Sequence, residues 1–293
     1  MEDRSVRALI DQRVIALYDD FTHTHLDRRL FLERLTALVG STALATAMMN
    51  VLRPNYANAA QVAADDPRLA TEHVTYPGAS GRVKAYLARP KGNAKVPAVI
   101  VIHQNRGLNP HIEDVARRLA VAGYVALAPD LLSPLGGTPA DEDQAAKLFA
   151  KMDQQEAALD AVAAVPYLKS RPDVGRIGAV GFCYGGGNVN RMAELSPDLA
   201  AVVSYYGVAP PLDKVPNIKA ALMLHYAGLD ERVGATRAGF EDALKKAGKS
   251  FQSFTYEGAN HAFNDDTTPR YDEAAAKLAW SRTLEFFKEH LQG

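Results

Sequence analysis

Apolar residues along this 293-residue chain follow two periods, one after the other. Near the start, Val6, Leu9, Ile10, Val14, Leu17 and Tyr18 recur at helical spacing, which predicts an amphipathic helix. An apolar, small-residue stretch follows from Leu35 to Leu52, with Gly40-Ser41 as a kink. From Glu72 the pattern turns to strands. His73 to Tyr76 and Val83 to Leu87 flank Pro77-Gly78-Ala79-Ser80-Gly81, which reads as an antiparallel hairpin. Val96 to Ile102 is an almost unbroken β-branched run, as in a strand covered on both faces. Further strands are predicted at Tyr124 to Ala128, Ile177 to Phe182, Ala200 to Tyr206, Ala220 to Tyr226 and Phe251 to Tyr256. Helices are predicted at Pro110 to Ala122, Asp141 to Met152, Gln155 to Leu168, Gly186 to Leu195, Thr236 to Ala247 and Asp272 to His290.

Strand and helix alternate, so the expected fold class is α/β: a mostly parallel, doubly wound sheet with helices on both faces. Residues 1–65 are expected to form an N-terminal helical extension or signal-like segment, and residues 66–293 the catalytic domain. Within the extension, Asp27-Arg28-Arg29-Leu30-Phe31-Leu32 precedes the apolar stretch, and Ala57-Asn58-Ala59 supplies an A-x-A pattern. Arg28 and Arg29 with these features resemble a twin-arginine export signal. Asp27 and Glu33 flank the arginines and Arg53 interrupts the end of the run. The preferred reading is therefore a helical hairpin packed on the domain, with a cytoplasmic location favoured over a periplasmic one. Ala, Thr, Ser and Asn dilute the run, so no stable membrane span is expected.

Composition excludes more than it selects. The 33 basic and 34 acidic residues leave a formal charge of -1, with no long basic run, so nucleic acid is not the expected partner. One cysteine rules out an intramolecular disulfide, and the eight histidines form no cluster with it at metal-ligand spacing along the chain. His23 and His25, close together but without acidic or thiol companions, are assigned a surface or inter-helix role.

That one cysteine stands in Gly181-Phe182-Cys183-Tyr184-Gly185, between a predicted strand and a stretch that can be helical. Small residues permit a tight strand-to-helix turn, and such a turn lifts its central side chain to where a substrate can reach it. Cys183 is thus a candidate nucleophile rather than a buried apolar filler. A thiol needs a base, and the base needs an orienting acid. His261, in the loop after the strand Phe251 to Tyr256, is the candidate base. Asp230, ending the strand-and-turn Leu222 to Asp230, is the candidate acid, with Glu231 as its competitor. Oxyanion donors are expected from the backbone N–H of Tyr184 and from Gln104 or Asn105, in the loop after Val96 to Ile102.

Gly-Phe-Cys-Tyr-Gly-Gly, the Gly228 to Asp230 turn and His261-Ala262-Phe263 resemble the dienelactone hydrolase family (carboxymethylenebutenolidases), over about Glu72 to His290. The resemblance implies an α/β-hydrolase fold, a Cys-His-Asp triad, no cofactor, and hydrolysis of a small-molecule ester or enol-lactone through an acyl-thioester. Tyr206, in Tyr205-Tyr206-Gly207, and Phe263 are carried over as candidate substrate-binding residues. Three positions depart from the family pattern. Gln104 replaces a glutamate that helps to activate the cysteine, so activation is expected to fall to His261 alone. Pro134 and Asp265 stand where two arginines bind the substrate carboxylate, with Arg106 or Arg270 as possible substitutes. The alternative reading is a non-catalytic relative that uses the same pocket for binding; a redox or isomerase role lacks a resolving cysteine.

Overall fold

The computed structural model describes residues 10–23, 26–92 and 94–292, with the backbone alone at positions 57 and 58. Val6 and Leu9 of the expected first helix, and His25, lie outside these residues. The helix carrying Val14, Leu17 and Tyr18 is α1, Gln12–His23. Next come α2, Arg28–Val39, and α3, Thr42–Leu52. The Asp27 carboxylate accepts the Leu30 N–H to start α2, and Gly40 at φ +82° ends it in the left-handed region. Ser41 then caps α3 by accepting the Leu44 N–H. The α2 and α3 axes are bent by 113°, and no single described helix is long and apolar enough to cross a membrane. Arg28 is ion-paired with Asp143 at 2.7 Å and Arg29 with Glu33 at 3.1 Å. The A-x-A positions fall in a short helix, α4, Tyr56–Ala59.

Helices α1, α2 and α3 share an apolar cluster of their own, in which Leu17, Tyr18, Phe31, Leu35, Met48 and Leu52 are buried. Hydrogen bonds and ion pairs join them to the rest of the chain.

The body of the fold is an eight-stranded sheet of β1 Leu69–Pro77, β2 Arg82–Pro90, β3 Val96–Ile102, β4 Val125–Asp130, β5 Val174–Phe182, β6 Leu199–Tyr205, β7 Ala221–Ala227 and β8 Phe251–Tyr256. Its order is β1-β2-β4-β3-β5-β6-β7-β8. The pairs β1/β2 and β2/β4 are antiparallel, and the rest are parallel. Seven helices complete the described chain: α5 Pro110–Val121, α6 Glu142–Phe149, α7 Gln154–Val162, α8 Ala164–Lys169, α9 Tyr184–Leu195, α10 Glu231–Lys246 and α11 Glu273–Leu291. Side chains of α5 and α11 fill the core on one face, and those of α7 to α10 fill the other. The single helix expected over Gln155 to Leu168 is two, α7 and α8. Pro166 has no N–H to return to the preceding turn, so the helix cannot run through unbroken.

This topology reverses direction at β3, which lies between β4 and β5. Such a switch point opens a crevice at the carboxyl ends of the strands, and the loops after β3, β5, β7 and β8 carry the candidate residues to that edge.

Candidate active site

Cys183 sits between β5 and α9 at φ 57°, ψ -115°, a backbone conformation that a residue with a Cβ holds only when its surroundings force it. The surroundings do so by close approach. A Cβ on Gly181 would lie 2.0 Å from the Gly185 carbonyl oxygen, and one on Gly185 would lie 2.2 Å from that of Ile102. The Cys183 N–H donates to the Tyr205 carbonyl at 3.0 Å, tying the turn to β6. Helix α9 begins at Tyr184, so the first N–H groups after the thiol have no helical acceptor.

His261 and Asp230 meet as expected. The His261 Nδ1–H donates to Asp230 Oδ2, with both side chains almost fully buried. Asp230 serves two purposes, because its Oδ1 also accepts the Val233 N–H and caps α10 at 3.0 Å. The cap fixes the carboxylate's orientation, and its competitor Glu231 is exposed. His261 Nε2 is left buried without a hydrogen-bond partner. It faces the thiol: one donor atom each of His23, Cys183 and His261 lies within 4.8 Å of the other two.

The thiol's direct partner is a different imidazole. His23, the last residue of α1, places Nε2 3.2 Å from Cys183 Sγ. Its Nδ1 donates to the Asp19 carbonyl at 2.9 Å, and its ring lies edge-on to that of His261 with centroids 4.5 Å apart. Two expectations are corrected here. His23 is not a surface or inter-helix residue. His261 is not the lone imidazole available to the thiol. The histidines and the cysteine stay scattered along the sequence, but His23, His261 and Cys183 meet in space. Sequence spacing carried no signal for this, because 160 positions separate His23 from Cys183.

Electrostatics favour an ion pair. Burial alone would raise the Cys183 pKa, but the charges of His261 and His23, with the hydrogen bond from His23, hold it well below the ordinary thiol value. Burial opposes the His261 imidazolium as well. The Cys183 thiolate and the Asp230 carboxylate outweigh it, and the His261 pKa rises to about 9.

The remaining candidates divide. Gln104 donates from Nε2 to Asp265 Oδ2 at 3.0 Å, and Asn105 from Nδ2 to the Thr22 carbonyl of α1 at 2.7 Å. One N–H of each side-chain amide is thus committed, and the backbone of that loop offers further donors for an oxyanion. Gln104 and Asp265, two of the three departures from the family pattern, are partners of one another. Pro134 is exposed in a 3-10 turn. Arg106 lines the cleft with its guanidinium near the Asn105 carbonyl. Arg270 also lines it, but its Nη1 is bound to Asp19 Oδ1 at 2.6 Å. Tyr206 holds φ 39°, and its buried hydroxyl has no partner; its ring lies 4.9 Å from that of His261. Phe263 does not line the cleft. It is fully buried beneath the site against Tyr205, Tyr206 and Tyr256, so it supports the wall instead of touching a ligand. The cleft, bounded by α1 and the β3 and β8 loops, holds about 30 Å³ of free space, far too little for an ester while α1 is seated.

The dienelactone hydrolase family profile matches residues 83–291, and a profile described as YqhI-like matches residues 1–39. A "Putative carboxymethylenebutenolidase" of Methylorubrum extorquens is 31% identical over 266 residues, 85% of this chain and 91% of its own. A "Probable 2-oxo-3-(5-oxofuran-2-ylidene)propanoate lactonase" of Bradyrhizobium is 33% identical over 224 residues, 71% of this chain and 90% of its own. The crystal structure of a "Putative Dienelactone Hydrolase" from Klebsiella pneumoniae superposes with a TM-score of 0.68 at 29% identity, covering 75% of this chain and 99% of that one. The chain therefore belongs to the dienelactone hydrolase family and is a hydrolase acting on carboxylic esters or lactones.

Proposed function

We propose that this enzyme cleaves a small carboxylic ester or enol-lactone with Cys183 as nucleophile, through an acyl-thioester. The observation that carries this reading is Cys183 held at positive φ on the strand-to-helix turn, facing an imidazole whose far nitrogen is fixed by Asp230. The thiolate attacks the acyl carbonyl carbon, and the carbonyl electron pair moves onto oxygen. The Tyr184 N–H and a backbone N–H of the Gln104-Asn105 loop stabilise that oxyanion. His261 then gives its proton to the leaving oxygen, takes one from water, and the resulting hydroxide releases the acid and regenerates the thiolate. Asp230 holds His261 in the tautomer that both steps need. Arg106 and the unpaired Tyr206 hydroxyl are the groups proposed to meet the substrate, once α1 withdraws from the cleft.

The lactonase name of the Bradyrhizobium relative supports an unsaturated lactone as the first substrate to assay. Cys183→Ala and Cys183→Ser should each abolish hydrolysis of aryl esters and enol-lactones while binding persists. Turnover retained in Cys183→Ala would overturn the assignment. Tight binding by the wild-type protein with no turnover would favour the binding relative.

A further inference from the structure

Helix α1 and the catalytic turn together assemble three donors suited to a borderline-soft cation. We propose that His23, Cys183 and His261 form a binding site for a divalent ion of the zinc class, which closes the nucleophile and fastens α1 over the cleft. Three observations carry this. First, the donor atoms lie within 4.8 Å of one another, and His23 Nε2 is 3.2 Å from Sγ. Tetrahedral zinc, with bonds of about 2.0–2.1 Å to nitrogen and about 2.3 Å to sulfur, spaces adjacent donors by about 3.5 Å, so small adjustments close the site.

Second, both rings already have the outer partners that fix a metal-binding imidazole. His23 Nδ1–H is held by the Asp19 carbonyl, and His261 Nδ1–H by the Asp230 carboxylate, which turns each Nε2 lone pair inward. Third, His261 Nε2 is buried, faces this point and has no partner of its own. The cleft reaches His23 and His261, which provides an entry path and leaves a fourth position open. On binding, Sγ and the two Nε2 atoms each donate an electron pair to the ion, and every proton held at those three atoms leaves to solvent. Cysteine chemistry stops while the ion is bound, because the pair that would attack an acyl carbon is engaged.

Cobalt(II) titrated into the metal-free full-length protein is the probe, since its absorption reports a thiolate ligand without any need for turnover. One equivalent should produce a thiolate-to-cobalt charge-transfer band, and zinc should displace it. His23→Ala, which removes a ligand, should weaken cobalt binding at least about ten-fold, the smallest loss that follows from removing even a ligand's supporting partner. His23→Cys, which restores a donor at that position, should bind and about double the charge-transfer intensity. No charge-transfer band at saturation would overturn the site. So would unchanged affinity in His23→Ala, or a His23→Cys variant that fails as His23→Ala does. Loss of hydrolase activity in an assay has no bearing on the spectrum, so failure here is distinct from failure of the esterase reading.

Discussion

Asp19 Oδ1 and Arg270 Nη1 are 2.6 Å apart, although 251 positions separate them in sequence. The Arg270 side chain is 6% exposed and that of Asp19 25%, so the pair is shielded enough to matter. It joins α1 to the loop after β8, alongside Gln12 donating to Asn260 at 2.7 Å and Asn105 donating to the Thr22 carbonyl. Because α1 keeps its apolar residues in a separate cluster, such polar contacts set how firmly it is seated. Asp19→Asn should loosen the seat by about 1–2 kcal/mol, roughly ten-fold in the closed-to-open ratio. Alkylation of Cys183 by iodoacetamide should accelerate accordingly, and amide exchange over 12–23 should rise. An unchanged alkylation rate would show that α1 does not gate the thiol.

The Cys183–His261 pair should leave a distinct pH signature. Alkylation should already be fast at neutral pH and stay nearly flat up to about 9, where His261 loses its proton, while a free thiol gains rate around 8.5. A rate that climbs through 8.5 would contradict the ion pair. Stability follows the same groups. The raised His261 pKa stabilises fully below about 6.5, and that contribution is lost as pH rises through about 9. The depressed Cys183 pKa stabilises above about 8.5, and its contribution is lost as pH falls through the folded value. Between about 6.5 and 8.5 the pair carries one proton in both folded and unfolded chains, so its contribution should be level there and decline on either side. Melting temperatures of wild type minus Cys183→Ala across pH test this.

Restoring a glutamate in the β3 loop should harm the fold instead of improving it. Gln104→Glu sets a carboxylate against Asp265, whose Oδ2 now accepts the Gln104 amide. Loss of that bond and the like-charge contact should cost about 1–3 kcal/mol near pH 8. The new glutamate's pKa would be raised, so the loss should shrink as the pH falls towards 5. Adding Asp265→Asn should recover most of it. Urea unfolding at the two pH values is the measurement, and an equal loss at both would exclude charge repulsion as the cause.

Gly185→Ala should be among the most damaging small substitutions. Its Cβ would meet the Ile102 carbonyl oxygen at 2.2 Å and that of His103 at 2.7 Å, backbone atoms at the end of β3 and just after it. A loss of about 3 kcal/mol or more is expected. At Gly187, two residues on, the nearest atom is Val208 Cγ2 at 3.0 Å, a side-chain methyl that can yield. Gly187→Ala should change stability by less than about 1 kcal/mol. Comparable losses in the two variants would refute the argument from backbone contact.

The strands, the flanking helices and the turn at Cys183 were legible because they rest on local signals. Val96–Ile102 declares a buried strand by composition, and Gly181 and Gly185 declare a tight turn by lacking a Cβ on either side of Cys183. The order Cys183, Asp230, His261 follows from which loops share one edge of a parallel sheet. Local patterning could not reveal what docks against that edge. Nothing along the chain distinguishes His23 from an exposed histidine, Asp19 from a solvated carboxylate, or Gln104 from an amide free to face an oxyanion. Their partners are Cys183, Arg270 and Asp265, and each pairing exists only once α1 and the β8 loop have folded onto the sheet. Periodicity records which side of an element is apolar; which polar groups meet across the gap between elements is decided by tertiary packing, because that is where burial makes an unpaired charge or donor costly.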